Sequence, residues 1–463
     1  MSRDIHELSA TELLAAYRSR DLSRREVVAA HLARIDEIND AVNGVIYRFD
    51  ERALREAEEA DRRAADREDL LLDGVPVLVS DWYHVEGVPQ PMGVRAWAES
   101  VDDADDPVVQ RVRGAGAIIL GKSSVPEFYI RWNAVSELFG ETRNARDLGC
   151  SAGGSGGGAA TAVAGGIVPI AFHADLGGSL RVPASFCGII ALRPSGGVVP
   201  LAYPVEPSMV WEAWTSCGPM ARSVEDAWLA LRAVAGPHPS VPNTVPLALP
   251  ETLATDGPRP RVARIVDATG ATVTDEIRRE VDRTAAALTE AGYEVVDAAA
   301  PPRLERLAQL WIELLGTELM HCVMPAVRGT IGESARQHID TLYGQFDLGR
   351  DLAPFIAAEQ ELRSIAREVS EWMDEYPLVL APVAGMARPP IDFDYFLSEQ
   401  QSVELFDHMR SVVWVNALAL PGVALGNGAQ IVGRRFRDAE PAVAAARVMQ
   451  SLGSVTVAEP ALA

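Results

Sequence analysis

Two serines embedded in glycine are the residues whose type and spacing best suit chemistry. Ser155 lies in the run of residues 150–158, CSAGGSGGG, and Ser179 ends the stretch DLGGS that starts at Asp175. Glycines let backbone amides approach a ligand closely or adopt positive φ, so a hydroxyl can be exposed while neighbouring N–H groups point at one spot. Because such a nest suits a developing oxyanion, the pattern predicts nucleophilic catalysis by a serine.

Other interpretations of the glycine-rich run lead elsewhere. A phosphate-binding loop is also rich in glycine and precedes a helix, but the chain has no G-x-x-x-x-G-K-[ST] pattern, and its single lysine, Lys122, lies before the run. A flexible linker is disfavoured because the flanking segments are apolar and patterned. It also stays open that both serines are structural hydroxyls in an inactive chain.

The segment of residues 153–194, from GGSGGGAATAV to IIALRP, resembles the amidase signature, the defining stretch of a large hydrolase family. The resemblance extends to LLDGVPVLVSD, LGKSSVPEF, FGETRN and CGPMARSVEDA, and to the N-terminal helices. It implies an α/β fold with a large, mixed, mainly parallel β-sheet sandwiched by helices and a helical cap. It implies no metal or organic cofactor.

Members of this family use a Ser-Ser-Lys triad. A nucleophilic serine attacks the carbonyl, a second serine beside a cis peptide relays its proton, and a neutral lysine accepts it. By its motif, the resemblance assigns the nucleophile to Ser179 and the relay to Ser155. It assigns the oxyanion hole to the N–H groups of Leu176, Gly177 and Gly178, together with that of the nucleophile.

The lysine of the triad is missing from its place. In the family it ends the first core strand, directly before an acidic residue, whereas residues 74–81 here read GVPVLVSD, with Ser80 at that position. Lys122 matches a different family position, in a GK[ST] turn outside the triad. A buried lysine amine can be tuned to accept a proton near pH 7, but a serine hydroxyl is no useful base. The sequence therefore predicts a centre of Ser179, Ser155 and Ser80 with an altered proton relay.

Further departures from the family cluster near the same centre. Gly156 takes the place of a second serine, and His173 replaces a small or hydroxyl residue. Because histidine titrates near neutrality, His173 and His84 are the candidate substitute bases, although packing is the ordinary role of a histidine. Together with Trp82 and Cys150, these two histidines form the predicted substrate pocket.

Three functions are consistent with these residues. The first is an amidase-family acyl-transfer hydrolase that cleaves the C–N or ester bond of a small carbonyl substrate. The second is an impaired pseudo-amidase that binds a small molecule or a protein, and the third is a scaffold recruited to non-hydrolytic biosynthetic chemistry. Six aromatic residues are candidates for pocket walls or for the core: Trp82, Tyr83, Trp132, Trp211, Trp214 and Trp311.

Capping and hydrophobic patterns predict the elements that position these residues. Helices should begin at the S-x-x-E boxes of Ser9 and Ser23, and a charged helix should cover residues 51–66. Short apolar runs at residues 75–79, 117–120, 167–172 and 188–192 predict buried strands. Residues 262–296 predict a βαβ unit, residues 304–370 a helical cap, and residues 378–382 and 423–432 further strands.

The whole chain of 463 residues is predicted to form a single domain. Within it we distinguish N-terminal helices (1–70), the signature core (74–235), a variable lobe with the cap (236–375) and a C-terminal return to the core (376–463). This division follows the changes in composition along the chain.

Charge and composition narrow the partners. A formal net charge of −23 repels nucleic acid and anionic membranes, and 48% hydrophobic residues are typical of globular proteins. We expect a cytoplasmic protein with a small amide or ester substrate, because we find neither a signal peptide nor a long uncharged apolar run. Four scattered cysteines predict neither disulfides nor a zinc site. The sequence does not choose between a monomer and a homodimer.

Overall fold

The computed structural model describes residues 4–63, 70–203, 208–267, 269–301, 303–346, 348–349 and 351–462. Its helices are α1 (Ala10–Ser19), α2 (Arg24–Val42), α3 (Asp50–Arg63), α4 (Pro107–Gly114), α5 (Gly157–Ala164), α6 (Arg181–Cys187), α7 (Met209–Trp214), α8 (Val224–Val234), α9 (Asp275–Glu290), α10 (Leu304–Glu318), α11 (Met324–Val327), α12 (Glu333–Tyr343), α13 (Leu352–Glu375), α14 (Glu399–Ala417) and α15 (Ala439–Leu452). The predicted charged helix is α3, and residues 64–66 of that prediction lie outside the described residues.

The strands are β1 (Val45–Arg48), β2 (Pro76–Ser80), β3 (Ile118–Ser123), β4 (Val135–Ser136), β5 (Gly140–Glu141), β6 (Arg143–Asn144), β7 (Asp147–Ser151), β8 (Ile170–Asp175), β9 (Ile190–Arg193), β10 (Ser216–Ala221), β11 (Val262–Arg264), β12 (Val295–Asp297), β13 (Leu378–Pro382), β14 (Gly422–Ala424) and β15 (Ala429–Gly433). Short 3₁₀ turns lie at Ile5–Glu7, Arg95–Trp97 and Glu127–Tyr129, and a π-helical turn, Leu319–Val323, joins α10 to α11.

Both N-terminal capping boxes form as predicted. Ser9 Oγ accepts the N–H of Glu12 at 3.1 Å, and the Glu12 carboxylate accepts the N–H of Ser9 at 2.7 Å. Ser23 and Glu26 repeat the exchange at 3.2 and 2.8 Å. Each box satisfies two backbone donors that a helix start otherwise leaves unpaired, which is why α1 and α2 begin where the sequence predicts.

Eleven strands form one sheet in the order β1-β3-β2-β8-β10-β9-β14-β15-β13-β11-β12. The prediction of a large mixed sheet flanked by helices is confirmed, but the sheet is not mainly parallel. Four neighbouring pairs are parallel and lie near the two ends. The other six pairs, including all those between β8 and β13, are antiparallel. Composition could not show this, because a strand buried on both faces has the same apolar content in either direction.

The two faces of the sheet carry separate cores. Leu78 of β2 and Ala171 of β8 point into the core shared with α2, α5, α6 and α14. Their neighbours Val77, Val79 and Phe172 point into the core shared with α1, α4, α8 and α15. This alternation is the period-2 geometry of a strand, and it decides which side chains of β2 and β8 can meet.

The predicted βαβ unit joins the main sheet. Strand β11 pairs with both β12 and β13 in parallel, so the unit extends one edge of the sheet. The predicted strand at residues 423–432 is divided into β14 and β15, which pair as an antiparallel hairpin. The domain boundaries drawn from composition stay a prediction.

Helices α10 to α13 form the predicted cap, apart from residues 347 and 350, which lie outside the described part. The continuous helical stretch Leu304–Val327 is long and apolar enough to cross a membrane by length and composition alone. However, 56% of its most apolar window is buried inside the structure. A core helix meets the same criteria, and here the stretch packs against the sheet through α14.

Candidate active site

The glycine-rich run connects β7 to α5 and forms a tightly packed turn. The peptide bond between Gly154 and Ser155 is cis, as the resemblance implies. A Cβ atom added at Gly154 would lie 2.4 Å from the backbone nitrogen of Asn133, so only glycine fits there. Ser155 is 2% exposed. The glycines therefore allow close backbone approach, which brings Ser155 to the edge of a cleft.

The second serine lies in the loop between β8 and α6. Asp175, the last residue of β8, accepts the N–H of Gly178 at 2.8 Å and the N–H of Leu180 at 3.3 Å. Arg181 donates to both carboxylate oxygens of Asp175 at 3.0 Å. Burial opposes ionisation of this carboxyl, but Arg181 holds the pKa of Asp175 below its usual range. Asp175 thus shapes the loop that carries Ser179.

The N–H group of Gly178 is occupied by this carboxylate. The donors that remain for the predicted oxyanion hole are the N–H groups of Leu176, Gly177 and Ser179. The carbonyl groups of this loop are also held, because Trp132 Nε1 donates to the Gly177 oxygen at 2.9 Å. Trp311 Nε1 donates to the Leu176 oxygen at 3.2 Å. The carbonyl oxygens of Leu176 and Gly177 point toward the two indoles. The N–H groups of the same peptide bonds, which belong to Gly177 and Gly178, therefore point the opposite way.

Ser155 and Ser179 line the same cleft. The two loops are joined by a hydrogen bond from the Gly156 N–H to the Ser179 carbonyl oxygen at 3.1 Å. About 600 Å³ of space lies between the cleft's atoms, including its opening to solvent. Seven of the sixteen residues that line it are aromatic: Trp82, Phe128, Tyr129, Trp132, Trp211, Trp311 and Tyr343.

Ser80 lies at the end of β2 and is fully buried. Its hydroxyl oxygen accepts a long hydrogen bond, 3.4 Å, from the N–H of Trp82. The residues that line the cleft do not include Ser80. The structure thus brings Ser155 and Ser179 to one cleft and leaves Ser80 behind its wall.

Lys122 does not replace the missing amine at this position. The register of β2 and β3 sets Val79 beside Lys122, so the lysine and Ser80 point to opposite faces of the sheet. Lys122 Nζ lies 2.8 Å from Asp81 Oδ1 and donates to the Pro89 oxygen at 2.9 Å. With both the lysine and Asp81 fully buried, this ion pair commits the only ammonium side chain of the protein to a structural contact.

His173 lies directly behind Ser155. Its Nε2 atom is 2.9 Å from Ser155 Oγ, and the ring is fully buried. A Cβ atom added at Gly156 would lie 2.7 Å from His173 Cδ2, so the imidazole fills the space that a larger residue at 156 would need. Burial lowers the pKa of His173 to about 3, against the opposing effect of Asp175, so the ring is neutral near pH 7.

The other predicted pocket residues lie in different places. Trp82 lines the cleft, with its ring centroid 4.5 Å from that of Tyr129. His84 lies outside the cleft lining, and its Nδ1 is 2.6 Å from Asp102 Oδ1. Cys150 also lies outside the cleft lining, on β7, where its backbone pairs with that of Pro390 in an isolated antiparallel β-bridge.

Four of the six aromatic candidates line the cleft, namely Trp82, Trp132, Trp211 and Trp311. Tyr83 and Trp214 are buried in the core instead. The sequence analysis missed Phe128 and Tyr129, which adopt positive φ beside the cleft, and Tyr343 from α12. Aromatic residues at PEFY could have been noticed beside the LGKSSVPEF motif, but no local signal links the distant α12 to the site.

Within the described residues, no group of three or more His, Cys, Asp or Glu side chains is arranged to hold a metal ion. The four cysteines are free thiols. The polar groups at the cleft include two hydroxyls, the buried imidazole behind Ser155, backbone N–H groups, the indole and phenol groups of the wall, and Arg131, which is paired with Asp394. This set can perform nucleophilic attack on a carbonyl, proton transfer and stabilisation of an oxyanion.

Comparisons with known proteins agree with this arrangement. The family model named Amidase matches residues 26–440. The chain is 31% identical to an indoleacetamide hydrolase of Bradyrhizobium diazoefficiens, covering 97% of this chain and 87% of that protein. The structure of 6-aminohexanoate cyclic dimer hydrolase is similar with a TM-score of 0.83 and 26% identity, covering 98% of both chains.

A bacterial aryl acylamidase of the amidase signature family is similar with a TM-score of 0.82 and 25% identity, covering 97% of each chain. The family match spans the glycine-rich run, the Ser179 loop and most of the sheet. The protein is therefore an amidase-like hydrolase of carbon–nitrogen bonds, and the chain belongs to the Amidase family.

Proposed function

We propose that the protein hydrolyses a small amide whose acyl portion is flat and apolar, with Ser179 as the nucleophile and Ser155 as the proton relay. The observation that carries the proposal is that both hydroxyls line one cleft to which seven aromatic side chains also contribute. The resemblance in the glycine-rich motifs supports the two serine roles. The missing lysine makes the proton relay different from that of the family.

The reaction follows from these positions. Ser179 Oγ bonds to the carbonyl carbon while its proton passes to Ser155, and Ser155 passes its own proton to a base that takes the place of the lysine and holds it until the amine leaves. The N–H groups of Leu176, Gly177 and Ser179 stabilise the resulting oxyanion. The C–N bond then breaks as the proton moves to the amine nitrogen, which leaves an ester on Ser179. Water hydrolyses this ester, releases the acid and restores the serine.

The cleft favours an aromatic or apolar substrate. Indole and phenol rings offer large apolar surfaces, and such surfaces prefer offset or edge-on contacts with a flat partner. Trp211 Nε1 is a buried donor for which the structure provides no acceptor among the described residues. It therefore offers a hydrogen-bond donor to a bound molecule. The names of two similar proteins, an indoleacetamide hydrolase and an aryl acylamidase, support the same substrate class.

A fluorophosphonate probe tests the nucleophile. We expect covalent labelling at Ser179, located by mass spectrometry of the digested protein, because an activated serine displaces the fluoride. Ser179→Ala should remove the adduct. Ser216→Ala serves as the matched control, since Ser216 is buried and donates to the Pro194 carbonyl away from the cleft.

Failure of the probe would have a defined meaning. A protein that is folded by circular dichroism but is not labelled would contradict the proposed nucleophile. The pseudo-amidase that binds without turnover would then be favoured, because the lysine is absent.

The proposal also includes a cytoplasmic location, on the ground of composition. It includes an ester as the alternative substrate, on the ground of the acyl-transfer chemistry.

A further inference from the structure

We propose that His173 takes over the part of the missing lysine and accepts the proton that Ser155 relays. This inference rests on the proposed function and adds the residue that completes it. Three independent features of the structure support it: the contact with Ser155, the register of β2 and β8, and the space at Gly156. Each concerns a different element of the fold.

The contact with Ser155 provides the route for the proton. The Nε2 atom of His173 lies 2.9 Å from Ser155 Oγ, which is within hydrogen-bond reach for proton transfer. The Nδ1 atom is buried and has no hydrogen-bond partner among the described residues. With the ring proton on Nδ1, the free lone pair of Nε2 accepts the Ser155 hydroxyl. The imidazole thus has one neighbour with which it can exchange a proton.

The sheet register explains how a residue of β8 can reach the place of a residue of β2. These strands are parallel neighbours, with Val79 beside Phe172. The next positions along them are Ser80, where the family has its lysine, and His173. Both lie on the face opposite that of Val79, because side chains alternate along a strand. A side chain from β8 can therefore enter the space beside Ser155 that a lysine of β2 would otherwise fill.

Gly156 shows that the site is built around the imidazole. A Cβ atom at this position would lie 2.7 Å from His173 Cδ2 and 2.6 Å from the Ser179 carbonyl oxygen. The family's second serine and an imidazole at 173 could not occupy this space together without a shift of the chain. The lysine-to-serine, serine-to-glycine and histidine departures from the family thus form one coordinated change.

The proton balance of the step is complete. As Ser179 Oγ bonds to the carbonyl carbon, its proton goes to Ser155 Oγ and the Ser155 proton goes to His173 Nε2. The imidazolium forms together with the oxyanion, so positive and negative charge appear as a pair. The proton returns by the same route to the amine nitrogen when the C–N bond breaks. No oxidant, metal or further reactant takes part.

The variant His173→Gln separates a base from a positioning residue. Glutamine keeps a hydrogen-bonding group near the Nε2 position but accepts no proton. We expect the rate constant for fluorophosphonate labelling of Ser179 to fall roughly 10²–10⁴-fold. When His173→Gln is introduced into Ser155→Ala, the labelling rate should fall little further, because the effects of substitutions within one relay are not additive. His31→Gln is the matched control, since His31 is also fully buried with one bonded ring nitrogen.

Each outcome decides the matter. Wild-type labelling rates in folded His173→Gln, or an equal loss with and without Ser155, would overturn the assignment while leaving Ser179 as nucleophile. A wild-type protein that resists the probe would overturn the proposed function itself. If His173→Gln does not fold, His173→Asn is measured in its place, since asparagine also keeps a hydrogen-bonding amide but accepts no proton. Wild-type labelling rates in folded His173→Asn would overturn the assignment.

Discussion

Gly156 and His173 share a space that holds only one side chain. A substitution at either position changes the packing of the other residue and, in the proposed relay, proton transfer as well. Their coupling can therefore be measured as a stability effect, independently of any substrate.

Gly156→Ser should destabilise the protein by about 1–3 kcal/mol, because the new Cβ overpacks a buried turn. The added atom would lie less than 3 Å from both His173 Cδ2 and the Ser179 carbonyl oxygen. Adding His173→Ser removes the first contact, so the double variant should recover part of the loss in urea unfolding. Purely additive effects of the two substitutions would contradict the shared space.

Strands β2 and β8 bring Ser80 and His173 to the same level of the sheet, because they are parallel neighbours. The proposed relay can therefore take its base from either strand. The loop after β8 carries Ser179, and the cap helix α10 adds Trp311 to the wall of the cleft. The site is thus assembled from elements that are distant in sequence but adjacent in the sheet.

The register predicts that the base can be moved from β8 back to β2. His173→Ser should lose hydrolysis of a small aryl amide, and Ser80→Lys in that background should restore it by at least about tenfold, because a buried lysine amine can accept the proton. Comparison of kcat/KM for the single and double variants checks this. A folded double variant no more active than His173→Ser would show that the two positions do not face one space.

Helix α10 contacts the loop after β8 through Trp311. Trp311→Phe keeps an aromatic ring but loses the hydrogen bond to the Leu176 oxygen. One such bond is worth about 0.5–1.5 kcal/mol, so kcat should fall about two- to tenfold with little change in KM. Trp372→Phe is the control. Trp372 lies on α13, and its ring packs against that of Tyr376, which follows the helix, so this variant should leave both constants unchanged. A change in KM alone would assign Trp311 to substrate contact only.

The molecule as a whole buries several histidines in the neutral state. Burial lowers the pKa to about 3 for His31, about 3 for His173 and about 4 for His338. Since an unfolded histidine titrates near 6.5, the unfolded chain binds protons that the native protein does not bind below that pH. These residues therefore reduce the free energy of unfolding as the pH falls from about 6.5. Asp106 and Glu318 act in the opposite direction, because burial raises the pKa of each to about 7.

The contribution of one histidine can be isolated with His31→Gln. Between pH 6.5 and 5, the free energy of unfolding of the wild type should decrease more steeply than that of the variant. The expected difference is up to about 1.4 kcal/mol per pH unit, the value for one proton. Urea unfolding at several pH values measures both slopes. Equal slopes would mean that His31 is protonated in the folded protein.

The sequence by itself determined the family, the two serines and the helix starts, because each depends on local chemistry. Glycines mark close backbone approach, and the S-x-x-E boxes satisfy their own donors. It also showed that a lysine is absent at position 80. Only the tertiary structure decided that His173 contacts Ser155, since this hydrogen bond joins β8 to the turn before α5. The strand directions of the sheet and the contact of Trp311 with the loop after β8 likewise depend on residues far apart in the chain, so composition does not predict them.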